Sequence, residues 1–309
     1  MPPIPPTISA TVRAIYSAYQ ANARPSYDPW GISVGDADHD CSRALWYTFR
    51  WVTPLEVHSG QQLRLFETGN IQESRLVSDL QSIGVEVYDQ QDKIRLISGH
   101  VRGKCDGKGM GIPEAPRTPH LLEFKSSNEK NMRLLEKKKV KEAKPLHYAQ
   151  CQLGMHAFGL TRCLYLAVCK DDDRLYSERL EYDFEYCTRL LAKLQRVIDA
   201  EEPPPRIADK PDDFRCMFCK HKAVCHEAAM PRVNCRTCIY ATPEHGGDAH
   251  WSCARFAKPL SIDEQREACP AHLNIPALVP GEQVDCSEEE EWIEYRLASG
   301  EIWRDGAHG

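Results

Sequence analysis

Seven of this chain's fourteen cysteines fall between residues 216 and 269, immediately after the run Pro203-Pro204-Pro205. The prolines mark a stiff linker or domain edge. Beyond them the sequence is turn-rich, with short elements that cannot assemble a large apolar core, so bound metal would take over that role. Redox context matters here. The N-terminus, MPPIPPTISA, has neither a charged n-region nor an apolar h-region, and no apolar run reaches the ~20 residues a membrane helix needs. The expectation is a cytoplasmic protein without a signal peptide or a membrane partner, whose cysteines bind metal rather than pair as disulfides.

The cysteine spacings define two sets. Cys216-x2-Cys219-x5-Cys225 is a compact triplet that needs a fourth ligand. His221 and His226 lie close by, and Cys41 is a remote alternative. Cys235-x2-Cys238-x14-Cys253-x15-Cys269 has near the spacing of a four-cysteine zinc ribbon or knuckle, with His245, His250 and His272 as substitute ligands. Of the other six cysteines, Cys163, Cys169 and Cys187 read as small apolar residues of strand and helix, and alternation points Cys105 away from Asp106.

Upstream of the prolines the pattern alternates between helix and strand. Helices are expected at 7–22 (capped by Thr7 or Ser9), 59–84, 127–143, 146–160 and 184–200, with a short amphipathic stretch at 41–51. Along 59–84, Leu63, Leu65, Phe66, Ile71, Leu76, Leu80 and Ile83 recur at helical spacing, and Gly84 ends the run. Strands are expected at 85–88, 94–101, 120–126, 163–169 and 175–180. The class is α/β or α+β. After the cysteines, an acidic run at 288–291 precedes a small hairpin.

Chemistry concentrates at Glu123-Phe124-Lys125. Residues two apart on a strand share a face, so Glu123 and Lys125 point together while Phe124 turns to the core. A carboxylate beside an ammonium suits metal-assisted phosphodiester hydrolysis. A hard cation needs a second carboxylate, and Asp106 is the default partner, because between Asp92 and Glu123 the only other acid is Glu114. Net charge is −6, but the charge is uneven. Residues 231–309 carry 7 basic against 14 acidic side chains, whereas 125–144 carry 8 basic against 3 acidic. The basic stretch can bind phosphate.

Gly99-His100, Asp106-Gly107, Leu122-Glu123-Phe124-Lys125 and Gln150-Cys151-Gln152-Leu153-Gly154-Met155 together resemble the PD-(D/E)xK nuclease superfamily. The nearest likeness is to its RecB-like and CRISPR-adaptation-like iron–sulfur exonucleases, including phage-encoded members, over about residues 40–230. The resemblance implies a restriction-endonuclease-like α/β core, a central mixed sheet flanked by helices, with C-terminal cysteine-rich metal-binding elements. It implies Asp106 and Glu123 as ligands to Mg²⁺ or Mn²⁺, with the Phe124 carbonyl, and Lys125 as the catalytic lysine. Gln152 falls in the family's glutamine motif near the scissile phosphate. Asn70 stands where the family often has a ligating histidine, so Glu73, one turn on, is the substitute. His156 stands where the motif usually ends in tyrosine. The pattern of one cysteine before the core and three after it implies a [4Fe-4S] cluster on Cys41, Cys216, Cys219 and Cys225. Zn²⁺ is expected on Cys235, Cys238, Cys253 and Cys269.

The expected organisation is a nuclease core over 1–205, an iron–sulfur module over 206–230 closing on Cys41, a zinc element over 231–275 and an acidic tail over 276–309. The expected activity is a Mg/Mn-dependent deoxyribonuclease, an exonuclease of DNA recombination or processing. Lys130, Arg133, Lys137, Lys138, Tyr148 and Gln150 would grip DNA. The zinc element or acidic tail would meet a recombination partner. The alternative readings are an inactive DNA- or partner-binding protein on the same scaffold, and a redox protein in which the cluster carries the function.

Overall fold

The computed structural model describes residues 8–23 and 27–306. Helix α1 (Ala10–Ala21) begins at Ser9, whose hydroxyl accepts the Val12 N–H at 3.3 Å. Of the two candidate caps, Thr7 lies outside the described residues. Strand β1 (Ile32–Ser33) and helix α2 (Ser42–Phe49) follow, then the long α3 (Gly60–Ser82). A capping box of Ser59 and Gln62 opens α3, and Gly84, at φ +86°, carries the chain away from its end. The seven apolar positions expected along α3 do not form one buried stripe. Leu76 and Leu80 are buried, with Val77 between them, whereas Leu65, Phe66 and Ile71 are exposed. At 23 residues the helix is about 35 Å long and overruns the sheet it covers. Its overhanging half meets α1.

The strands that follow are β2 (Glu86–Tyr88), β3 (Lys93–Leu96), β4 (Val101–Lys104), β5 (Gly107–Met110) and β6 (His120–Ser127). The single strand expected at 94–101 is a hairpin of β3 and β4, turned by positive φ angles at Ile97, Ser98 and Gly99. Helix α4 (Glu129–Ala143) is broken at Lys139 (φ 64°, ψ 169°), a kink the sequence does not announce. There the Val140 N–H donates to Glu178 Oε2 at 2.9 Å instead of to a helical carbonyl. Pro145 sits in the first turn of α5 (Pro145–Phe158), which ends at left-handed Gly159. Strands β7 (Arg162–Cys169) and β8 (Leu175–Glu181) and helix α6 (Phe184–Asp199) complete this part.

The central sheet is mixed, in the order β2-β5-β6-β7-β8, with β6 and β7 parallel and the other pairs antiparallel. Alternation splits its residues cleanly. Leu122, Phe124, Leu164, Leu166 and Val168 pack beneath α3. Leu121, Cys163, Tyr165 and Ala167 face Met132 and Leu135 of α4 and Cys151 and Met155 of α5. The opposite face of α5, at Ala149 and Leu153, meets α2 and α6 in a further core. Gly154 lets α5 lie this close, because a Cβ there would come within 2.6 Å of Leu121 Cδ2. The expected α/β class with a helix-flanked mixed sheet is what the chain adopts.

The cysteine-rich segment contributes α7 (Lys222–His226), a 3-10 turn at Cys235–Thr237, the three-stranded sheet β9 (Ala241–Pro243), β10 (Trp251–Cys253) and β11 (Lys258–Leu260), and α8 (Ile262–Arg266). Its Cys238, Ala241, Trp251, Ile275 and Leu278 enter the same core as α2 and α6, so it packs as part of the body. A last sheet, β12 (Gly281–Ser287), β13 (Trp292–Leu297) and β14 (Ile302–Gly306), is one strand larger than the expected hairpin. The expected hairpin is β13–β14, and the acidic run 288–291 that precedes it forms the turn from the added strand β12. Buried Asp305 anchors this sheet, accepting the Asn274 N–H at 2.6 Å.

Candidate active site and cysteine centres

Strand pairing brings the acidic groups together. Gly107 lies opposite Leu122, which sets Asp106 at the next position beside Glu123. Asp106 Oδ2 accepts the Phe124 N–H at 2.6 Å, tying the end of β5 to β6. Glu123 is 1% exposed and ion-paired through Oε1 to the Lys125 ammonium. Glu73 approaches from α3, its Oε1 accepting from Gln91 Nε2 at 2.7 Å. Asn70 is exposed, one turn away. Phe124 turns its ring under α3, as alternation predicts.

The titration of these groups registers their crowding. Burial, with Asp106 and Glu73 close by, pushes the Glu123 carboxyl up to about 7 despite Lys125. Burial raises Asp106 against the pull of Lys125 and the Phe124 N–H. Burial and then Asp106 raise Glu73. Lys125 is pulled down by burial, but Glu123 and Asp106 more than offset this and leave it pushed up to about 12. Three carboxylates and one ammonium therefore share a poorly solvated spot, an oxygen donor set of the kind that suits a hard divalent cation.

The α5 residues are distributed differently from expectation. Gln152 is fully buried and its amide is consumed elsewhere: Nε2 donates to Glu181 O and Oε1 accepts the Asp183 N–H, both at 2.8 Å. It pins the β8–α6 junction from within the core, where it has no exposed surface to offer a phosphate. Tyr148 is buried against Tyr186, with ring centroids 5.0 Å apart, and its hydroxyl donates to Asp183 Oδ2 at 3.4 Å. Gln150 lies beside Gly35. The residue that does face the cluster is His147. Burial, followed by Lys125 and Lys144, pushes its imidazole down to about 3, and Nδ1 pairs with the Tyr165 hydroxyl at 2.8 Å. Of the polar stripe His147, Tyr148 and Gln150 that the sequence offers on this helix, His147 alone turns to the cluster, one turn before Cys151.

Lys130, Arg133, Lys137 and Lys138 are exposed along α4. Arg133 is paired to Glu129, and Lys138 Nζ to Glu142 Oε1 at 2.5 Å, so part of the basic run is neutralised by its own helix.

Both cysteine sets converge. Cys41, which precedes α2, lines one cavity with Cys216, Cys219 and Cys225, amid Arg43, Arg206, Arg215 and Lys222. His221 is excluded as their fourth partner: Nε2 pairs with Thr48 Oγ1 at 2.9 Å and Nδ1 with Thr53 Oγ1 at 3.0 Å. Cys235, Cys238, Cys253 and Cys269 line a second cavity. All eight thiols are free. Among the described residues, one trio of donor atoms, from Glu129, Cys169 and Asp172, lies mutually within 4.8 Å, and Arg174 already occupies it; both cysteine sets are spaced more widely.

The fold and site define a mixed α/β protein with a carboxylate–lysine cluster on its central strand and two cysteine quartets. No family model matches the chain, and no curated protein does. Among solved structures, the alkaline exonuclease LHK-Exo from Laribacter hongkongensis is 14% identical, with a TM-score of 0.40, over 60% of this chain and 90% of that one. The same figures hold for LHK-Exo in complex with dAMP. The protein SSO0001 is 14% identical, with a TM-score of 0.40, over 71% of this chain and 97% of that one. Overlap of this size assigns no activity. No helix among the described residues is long and apolar enough to cross a membrane.

Proposed function

We propose that this chain is a divalent-metal-dependent DNA nuclease, acting as an exonuclease in DNA recombination or processing. The observation that carries the reading is the meeting of Asp106 and Glu123 on adjoining strands, with Lys125 paired to buried Glu123 and half-buried Glu73 approaching from α3. Glu73, Asp106, Glu123 and the Phe124 carbonyl would hold Mg²⁺ or Mn²⁺, which when bound supplies positive charge to the phosphate and a more acidic water. Glu123 fixes the Lys125 ammonium over the cluster, where it can offset charge gathering on phosphate oxygens. Neutral His147, held by Tyr165, closes the far side without adding a competing cation. The exposed lysines of α4 would take neighbouring phosphates.

The first cysteine set fits a [4Fe-4S] cluster. Four thiols face one cavity, the number of thiolates that a [4Fe-4S] cluster takes. The surrounding arginines and lysine balance a cluster's net negative charge. Its role would be to tie Cys41 to the segment that follows the core.

Labelled single- and double-stranded DNA, linear and closed circular, incubated with Mn²⁺ tests the reading. Cleavage of linear but not circular substrate, abolished in folded Glu123→Ala and Lys125→Ala variants, is expected. Cleavage of circles would make it an endonuclease. No cleavage by the unaltered protein would favour the inactive binding protein to which exposed Asn70 points.

A further inference from the structure

We propose that Cys235, Cys238, Cys253 and Cys269 hold one structural zinc ion, and that this ion sets the position of α2 and, through α2, of Cys41. The proposal does not depend on the nuclease reading.

The quartet presents soft donors only. The cavity they line is walled by Tyr240, Phe256 and Leu260, and no disulfide uses the thiols. Arg255 and Lys258 flank the site, each ion-paired, to Glu291 and Glu264. The nearby histidines are engaged elsewhere: His245 Nε2 pairs with Asp199 at 3.1 Å, and His272 Nε2 with Asn234 O at 3.1 Å. Cys235 currently donates its S–H to Glu264 O at 3.1 Å, which holds the sulfur off the others. Zinc binding releases each thiol proton to solvent, ends that hydrogen bond and frees the sulfur to close on the ion.

The mechanical link is Arg236, between two of the ligands. Its guanidinium is buried 3.8 Å from the Trp51 ring centroid and 4.7 Å from that of Trp251. It donates to Phe49 O and Gln265 Oε1, both at 2.9 Å. Arg50 answers by donating to Arg236 O at 3.1 Å. Phe49 and Arg50 form the C-terminal end of α2, and Cys41 immediately precedes its first residue. The eight residues of α2 span about 12 Å, so one rigid two-turn rod joins the cysteine centres. Fixing the 235–238 turn on zinc therefore fixes the rod from which Cys41 projects.

The test uses the full-length protein. Zinc is counted by mass spectrometry, Co²⁺ replaces zinc for absorption spectroscopy, and iodoacetamide labelling of Cys41 is timed by peptide mass. Expected are about one zinc per chain and a tetrahedral-thiolate Co²⁺ spectrum, with zinc lost in Cys253→Ser/Cys269→Ser and kept in Cys253→His. Removing zinc from the unaltered protein with a chelator should speed Cys41 labelling about tenfold, a readout that stands if the double variant does not fold. Arg236→Ala, with all four ligands intact, should keep zinc and still expose Cys41. Absence of zinc and of a thiolate Co²⁺ band would overturn the site, as would zinc retained by the double variant. Cys41 labelling that ignores zinc removal would overturn the coupling.

Discussion

Replacing Lys125 by methionine keeps most of the side chain's bulk and deletes the ammonium that Glu123 holds. The attraction lost is about 4 kcal/mol at an effective dielectric near 20. Glu123 need not bear that loss, because it can take up a proton instead. Its folded pKa, about 7, already exceeds the unfolded value of 4.5. The folded state thus holds a proton the unfolded state has released, and in the unaltered, metal-free protein this group's contribution to stability is full below 4.5 and falls until about pH 7. Without Lys125 the folded pKa rises further, and the decline continues above pH 7 at about 1.4 kcal/mol per pH unit. The gap between variant and parent should be small near pH 6, about 1.4 kcal/mol near pH 8 and about 3 kcal/mol near pH 9. Urea unfolding in EDTA across that range measures it. A gap of constant size would mean that Lys125 contributes only packing, and the buried charge cluster inferred for this face would be wrong.

Other substitutions separate structural from chemical roles. Gln152→Ala should cost about 2 kcal/mol by leaving the Asp183 N–H and Glu181 O unpaired, while folded enzyme keeps its DNA cleavage rate; a 100-fold slower rate at unchanged stability would return Gln152 to the phosphate. Gly154→Ala should lower stability by about 1–3 kcal/mol through the clash with Leu121, read as a drop in melting temperature; an unchanged melt would show that α5 can shift away. Arg236→Met should cost about 3–5 kcal/mol in urea unfolding, since Phe49 O and Gln265 Oε1 lose a buried donor; a loss below about 1 kcal/mol would refute its place as a joint.

Where local rules act, the sequence was legible. Caps and left-handed glycines set the ends of α1, α3 and α5, and alternation set Glu123 and Lys125 on one face with Phe124 on the other. The scarcity of acids between residues 92 and 123 singled out Asp106, which does lie beside Glu123. Tertiary contacts decided what local rules missed. The α4 kink exists because Glu178 from a distant strand takes the Val140 amide. The exposed half of α3 reflects the width of the sheet, which no helical periodicity encodes. Tyr148 and Gln152 look like ligand-facing polar residues until Asp183 and Glu181 are seen to occupy them.

The tie between residue 48 and His221 has a temporal side. These partners are 173 positions apart, and Arg232 clasps Asp28 across 204. At ribosomal speeds of 5–20 residues per second, the first member of such a pair waits about 10–40 s for the second. During that interval Tyr47 and Phe49 of α2 are made without His221 and Trp251, against which their rings pack. Nascent chains halted before residue 221 should therefore be the ones that chaperones hold.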